Sequence, residues 1–160
     1  LEPWRFIVAE SPAVRARLQA ACENQPQVGG CSVVVAILAL TADLYPDSDY
    51  VRSMLRREVA DEAAFRQFLD YYRAYARRGD LTQWSVAQCH IAAANMMTAA
   101  AAAGLDSCPI GGFDAAQVGE ILGVDERRHE VALLLALGYR AEEQPPRQRL
   151  PLPELVLKRL

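Results

Sequence analysis

The run Val33–Leu40 reads VVVAILAL, with no polar side chain to mark an outward face. An apolar stretch of strand length that lacks alternation is what a strand covered on both faces looks like. Ser32–Leu40 is therefore predicted as a central strand, and Val131–Leu137, ended by Gly138, as a second. Such strands require helices above and below, and the chain supplies them. Ser11-Pro12 marks a helix start, because Ser can cap and Pro suits the first helical position, and Ala13–Cys22 then repeats Val14, Leu18 and Ala21 on one face. Arg5–Glu10 precedes it as a short strand. Leu81–Ala103 is the longest helix, with Trp84, Gln88, Ile91, Asn95 and Thr98 on one face, alanines over much of the rest, and Gly104 as its C-cap. Small residues all round let other elements approach closely, so this is a core or interface helix. The pattern predicts an α+β fold in three layers, α/β/α, with a mixed central sheet.

A chain of 160 residues, 52% of them hydrophobic, suits one compact domain with a real core. Its mean hydropathy near zero is high for so small a monomer and points to apolar surface hidden in a subunit interface. A net charge of −3 argues against a general nucleic-acid binder. The four cysteines show no C-x-x-C spacing, and with two histidines they make no zinc framework; they read as free thiols in a reducing, cytoplasmic setting. The apolar stretch Ile91–Leu105 is too short to span a bilayer and contains Asn95. Ala42–Arg78 is the most polar region, with Phe65, Phe68, Leu69 and Tyr72 at helical spacing among alternating charges.

The segment Gly104–Asp114, GLDSCPIGGFD, is the most informative for function. Two adjacent glycines after Pro109-Ile110 leave a backbone bare enough for a flat ligand to meet a peptide N–H. Read alone, the segment is a tight turn, with Asp114 as N-cap of a helix Ala115–Leu122. Asn24–Gly30 reads as a linker rich in turn-formers, Glu142–Arg149 as a polar exposed connection, and Leu150–Leu160 as a tail apolar enough to need a partner surface.

Four blocks in order give the chain its resemblance: Glu2-Pro3-Trp4-Arg5-Phe6-Ile7-Val8; Asn24-Gln25-Pro26-Gln27; Trp84 to Gln88, continuing through Asn95 to Pro109-Ile110-Gly111-Gly112-Phe113-Asp114; and Arg147-Gln148-Arg149-Leu150-Pro151. With them the sequence resembles the FMN-dependent nitroreductase family. Two departures stand out. Gly111 stands where many members have Glu, and the helical segment with a phosphate motif that opens the family domain is missing, so the chain reads as a single nitroreductase-like domain lacking its N-terminal segment. The resemblance implies an intertwined homodimer that binds FMN and uses NADH or NADPH. It implies reduction of nitroaromatics, quinones or similar flat electron-poor acceptors by ping-pong hydride transfer through flavin N5. It further implies that the Gly111 and Gly112 amides lie near N5, and that Pro109 and Ile110 pack on a ring face. Asn24 and Gln27 would bond the pyrimidine side, and Arg147 and Arg149 the phosphate. Phe68, Tyr71 and Tyr72 are candidates for substrate contact, with core packing as the alternative for each. No residue stands out as an obligatory acid or base. Because the opening phosphate motif is missing, a non-catalytic flavin-binding or dimerisation module is the competing reading.

Overall fold

The computed structural model of the chain describes residues 1–159. The elements run β1 (Trp4–Ala9), α1 (Pro12–Ala21), α2 (Pro26–Gly30), β2 (Val33–Leu40), a 3₁₀ turn at Ala42–Leu44, α3 (Asp49–Glu58), α4 (Glu62–Ala76), α5 (Leu81–Ala102), β3 (Asp106–Ile110), α6 (Ala115–Leu122), β4 (His129–Gly138) and α7 (Leu152–Leu155). One four-stranded sheet has the order β1-β2-β4-β3.

Alternation along β2 sorts its side chains between two layers, since successive strand residues point to opposite faces. Val34, Ala36 and Leu38 meet a cluster built with Leu18 and Ala21 of α1, Val28 of α2 and Val118 of α6. Val35, Ile37 and Ala39 meet Cys89 and Ala93 of α5. The apolar run predicted as a central strand is therefore buried because α1, α2 and α6 cover one face and α5 the other. Opposite Ile37 and Leu38 of β2 the register of β4 slips, leaving Ala132 without a partner. This bulge puts Val131 and Leu134 on one face.

The three-layer α+β prediction matches this architecture. All three strand pairings within the described chain are antiparallel, so the parallel pairing that a mixed sheet requires is not among them. Two local readings are corrected. Asn24–Gly30 is not simply a linker: its last five residues form α2, with Pro26 at the first turn. Asp106–Ile110 is not part of a turn but a strand. It sits at the sheet edge, where the missing N–H of Pro109 breaks no inner ladder.

α3 and α4 close on each other through their own cluster of Val51, Leu55, Phe65, Leu69 and Tyr72. The Tyr72 hydroxyl donates to the Leu44 carbonyl (2.8 Å), tying α4 to the 3₁₀ turn. Among the described residues, no helix is long and apolar enough to cross a membrane.

Candidate functional site

The end of β3 is where the chain leaves the sheet. Ile110 is paired with Leu134 and is 1% exposed, its side chain inside the core shared with α1 and α6. Ile110 thus has no side-chain surface to offer a ring; its backbone remains. Pro109 is exposed. Four residues on, Asp114 caps α6 by accepting from the Gln117 backbone N–H (3.0 Å) and side-chain amide (2.7 Å). Those bonds hold the Asp114 carboxyl below its ordinary range. The Asp114 N–H donates to the Ala21 carbonyl (2.8 Å), and the Gln25 side-chain amide donates to the Gly112 carbonyl (3.0 Å). The turn after α1, with Glu23 and Asn24 both left-handed (φ 55° and 57°), is thereby pinned against the Gly111–Asp114 loop. Asn24 and Gln27 are exposed on that turn and on α2. The two sequence blocks, more than eighty residues apart, meet in space through the Gln25–Gly112 bond.

The glycines of this loop differ from three others in the chain, and share with Gly30 and Gly79 the lack of a positive φ. Gly104 and Gly123 have positive φ, a conformation that L side chains rarely adopt. Gly29 packs so closely on α1 that a Cβ would lie 2.0 Å from the Gln19 side chain. Gly111 and Gly112 meet neither condition. Their φ angles are not positive, a Cβ on Gly111 would meet nothing within 4 Å, and one on Gly112 would meet the tip of the Glu23 side chain at 3.2 Å. Nothing inside the chain demands two bare residues here.

Arg147 and Arg149 lie elsewhere on the surface, in an open groove of about 1020 Å³ between the outer face of α5, Ser107 of β3 and the segment Gln144–Arg149. The segment is directed there by Arg140, which grips the Asp106 carboxylate with two bonds (2.8 and 2.9 Å) at the start of β3. The guanidinium also holds the Asp106 carboxyl below its ordinary range. Among the described residues neither Arg147 nor Arg149 forms an ion pair, and both side chains are exposed. The Arg149 guanidinium donates to the Gln148 carbonyl (2.7 Å) and keeps further N–H groups, so the groove carries two guanidinium groups without a carboxylate partner and the Ser107 hydroxyl, a donor set suited to an oxyanion.

Residues 1–139 match the family model described as the nitroreductase family. The chain belongs to the nitroreductase family. It is 35% identical to a protein of Staphylococcus haemolyticus provisionally named an NAD(P)H nitroreductase, over 98% of this chain and 77% of the relative. A nitroreductase family protein of Streptococcus pneumoniae, 28% identical, superposes with a TM-score of 0.75 over 98% of this chain and 79% of that one. A provisionally named nitroreductase of Exiguobacterium sibiricum, solved in complex with FMN, shares the fold at 24% identity, with a TM-score of 0.80 over 98% and 77% of the two chains. Nitroreductase family membership carries flavin-dependent oxidoreductase chemistry at the level of the family.

Within this nitroreductase domain the three aromatic candidates on α4 part company. Tyr72 is 7% exposed and its hydroxyl is engaged by Leu44, so it is a core residue. Burial pushes its phenol up to about 12. Phe68 and Tyr71 are exposed at 47% and 68%. α4 packs chiefly on α3, and no described contact joins either aromatic to the Gly111 loop. The residues that sequence reasoning passed over are Gln25 and Glu23, which reach Gly112, and Ser107 with the Arg140–Asp106 pair beside the groove. Gln25 stood within a recognised block, but a turn containing two left-handed residues gives no periodicity from which to read where a side chain points.

Proposed function

We propose that the chain binds FMN and works as an NAD(P)H-dependent oxidoreductase acting on nitroaromatics, quinones or similar flat electron-poor acceptors. The observation that carries this reading is the Gly111–Gly112 pair. Neither backbone conformation nor internal packing requires glycine at either position. Bare backbone there leaves the peptide groups open to close approach by a group from outside the chain. Each end of FMN has a donor set proposed for it. The Gly111 and Gly112 amides and the exposed Pro109 would meet the ring, and the exposed amides of Asn24 and Gln27 would meet its pyrimidine side. Arg147 and Arg149 would hold the phosphate as charge-assisted donors.

Bound FMN would supply the hydride chemistry, taking a hydride from NADH or NADPH and passing it to the acceptor in a ping-pong sequence. The chain would hold the ring through the Gly111–Gly112 backbone and the exposed amides of Asn24 and Gln27. No acid or base from the protein is assigned: the His90 ring nitrogen Nδ1 is occupied by the Val86 carbonyl on α5 (2.9 Å). We further infer a homodimer. Phe6 and Val8 of β1, Ile91 of α5, and Leu150, Leu152, Leu155 and Leu157 of the tail are exposed at 42% to 99%, more apolar surface than a monomer this small ordinarily shows to water.

The test is the visible spectrum of the purified protein before and after anaerobic NADH and NADPH. Flavin bands that bleach with one nucleotide support the enzyme and reveal its preferred donor. A colourless protein that takes up no added FMN overturns it and leaves a dimerisation module.

A further inference from the structure

We propose that Gln25 is a positioning residue: its side-chain amide holds the Gly112 carbonyl, so fixing the Gly112–Phe113 peptide and narrowing the directions open to the Gly111–Gly112 peptide that precedes it. The inference builds on the proposed flavin site, because it assigns a consequence to the orientation of that backbone.

The loop is anchored at both ends, and within it Phe113 packs against the core shared with α1 and α6. Ile110 is held in the ladder with β4 and in the core, and the Asp114 N–H is held by the Ala21 carbonyl (2.8 Å). Between them stand two glycines, the residue type with the widest backbone freedom. Fixed end points leave such a pair several ways to turn its peptide planes. Among the described residues, the bond from Gln25 Nε2 (3.0 Å) is the one hydrogen bond recorded to the backbone of residues 111–113. A peptide is planar and trans, so holding its carbonyl also sends its N–H the opposite way. With the Gly112 carbonyl directed at Gln25, the Phe113 N–H points away from the turn, and the freedom of the preceding Gly111–Gly112 peptide shrinks with it.

Gln25 is itself well placed to act as a fixed point. It is the half-buried N-cap residue of α2, and its own N–H donates to the Cys22 carbonyl (3.0 Å) while its carbonyl accepts from Val28 N–H (3.1 Å). The side chain therefore extends from a backbone already bonded on both sides. This gives the turn after α1 a role in the site that goes beyond the exposed amides of Asn24 and Gln27.

Two variants separate the donor from the shape. Gln25→Glu keeps the size and loses the N–H, placing a carboxylate against a carbonyl. Gln25→Lys keeps a donor on a side chain of similar reach. Three readouts apply to each full-length protein: hydrogen exchange of the Asp114 amide without FMN, the dissociation constant of added FMN, and its midpoint potential when bound. Gln25→Glu is expected to lower Asp114 protection and weaken FMN binding, each about tenfold, and to move the potential, as loss of one hydrogen bond to a partly buried carbonyl predicts. Gln25→Lys is expected to stay near wild type in all three. Wild-type values in Gln25→Glu, or equal damage in both variants, overturn the proposal. If the wild-type protein takes up no FMN, the functional reading falls, and Asp114 protection still decides whether Gln25 holds the loop.

Discussion

Along β2 every residue from Val34 to Leu40 is buried, and each face of the strand is covered by helices of the same chain. At the end of β3 the pattern reverses: Pro109 and Gly111 are exposed, and beyond β4 the residues from Tyr139 to Leu155 are exposed throughout. The first region accounts for its own composition. Its aliphatic side chains are there because α1, α2, α5 and α6 press on them. The second does not. Two unforced glycines, two unpaired arginines and a leucine-bearing tail have no counterpart inside the chain. The contrast teaches that the interior can be explained by folding, whereas contacts within the chain leave the residue types of the rim unexplained. Substitutions can break that division in either direction.

The largest effect is expected inside. Ile37 is 0% exposed between the sheet and α5. Ile37→Ala removes buried methylene groups and leaves a cavity, at a cost of about 2–5 kcal/mol of stability in chemical denaturation. The affinity of the folded fraction for FMN should be unchanged. A loss of affinity without a loss of stability would erase the distinction between the two regions.

The converse variant acts at the rim. Replacing both Arg147 and Arg149 by Ala removes two charge-assisted donors from the groove, and FMN binding should weaken roughly 100-fold or more. Riboflavin, which has no phosphate, should bind as before, and the thermal midpoint should not move. Unchanged FMN affinity would remove these arginines from the phosphate site.

A smaller effect sharpens the description of the interior through its titratable groups. Burial pushes the Cys89 thiol up to about 11 and the Tyr72 phenol to about 12, from ordinary values of 9.0 and 10.0. In both cases the fold favours the neutral form, so the unfolded chain loses its proton first. The stability they contribute is complete below about pH 9 and is lost as pH rises through 11 and 12. Denaturation midpoints measured from pH 8 upward should fall over that window, and Cys89→Ala should flatten the lower part of the fall. A flat profile in the wild-type protein would mean that neither group is sequestered.

The same division explains what could be read from the sequence. β2, β4, α1, α5 and α6 were legible because their patterns arise from burial, and the Asp114 cap because capping is a local event. β3 was not: DSCPI has no alternation, includes a proline, and owes its strand conformation to pairing with β4. Strand direction was equally hidden, since nothing local records which partner a strand will have. At the site, glycines and arginines could be picked out by type and order. Burial of the Ile110 side chain and of Tyr72 could not, because both depend on elements distant in sequence. Nor could the reach of Gln25 across to Gly112.

The smallest expected effect tests the rim most finely. Gln27 is exposed on α2, one residue after Pro26, on the element that follows the turn pinned to the Gly111 loop. Reduced flavin carries negative charge on its pyrimidine side, and a neutral amide there stabilises it less than a cation does. Gln27→Lys should raise the midpoint potential of bound FMN in a redox titration, by the effect of one solvent-screened charge, on the order of 1 kcal/mol. The shift should shrink with added salt, because an exposed charge is screened. An unchanged or lowered potential would place Gln27 away from the pyrimidine side. The Gly111 loop and the arginine groove would then have to define the flavin site without α2.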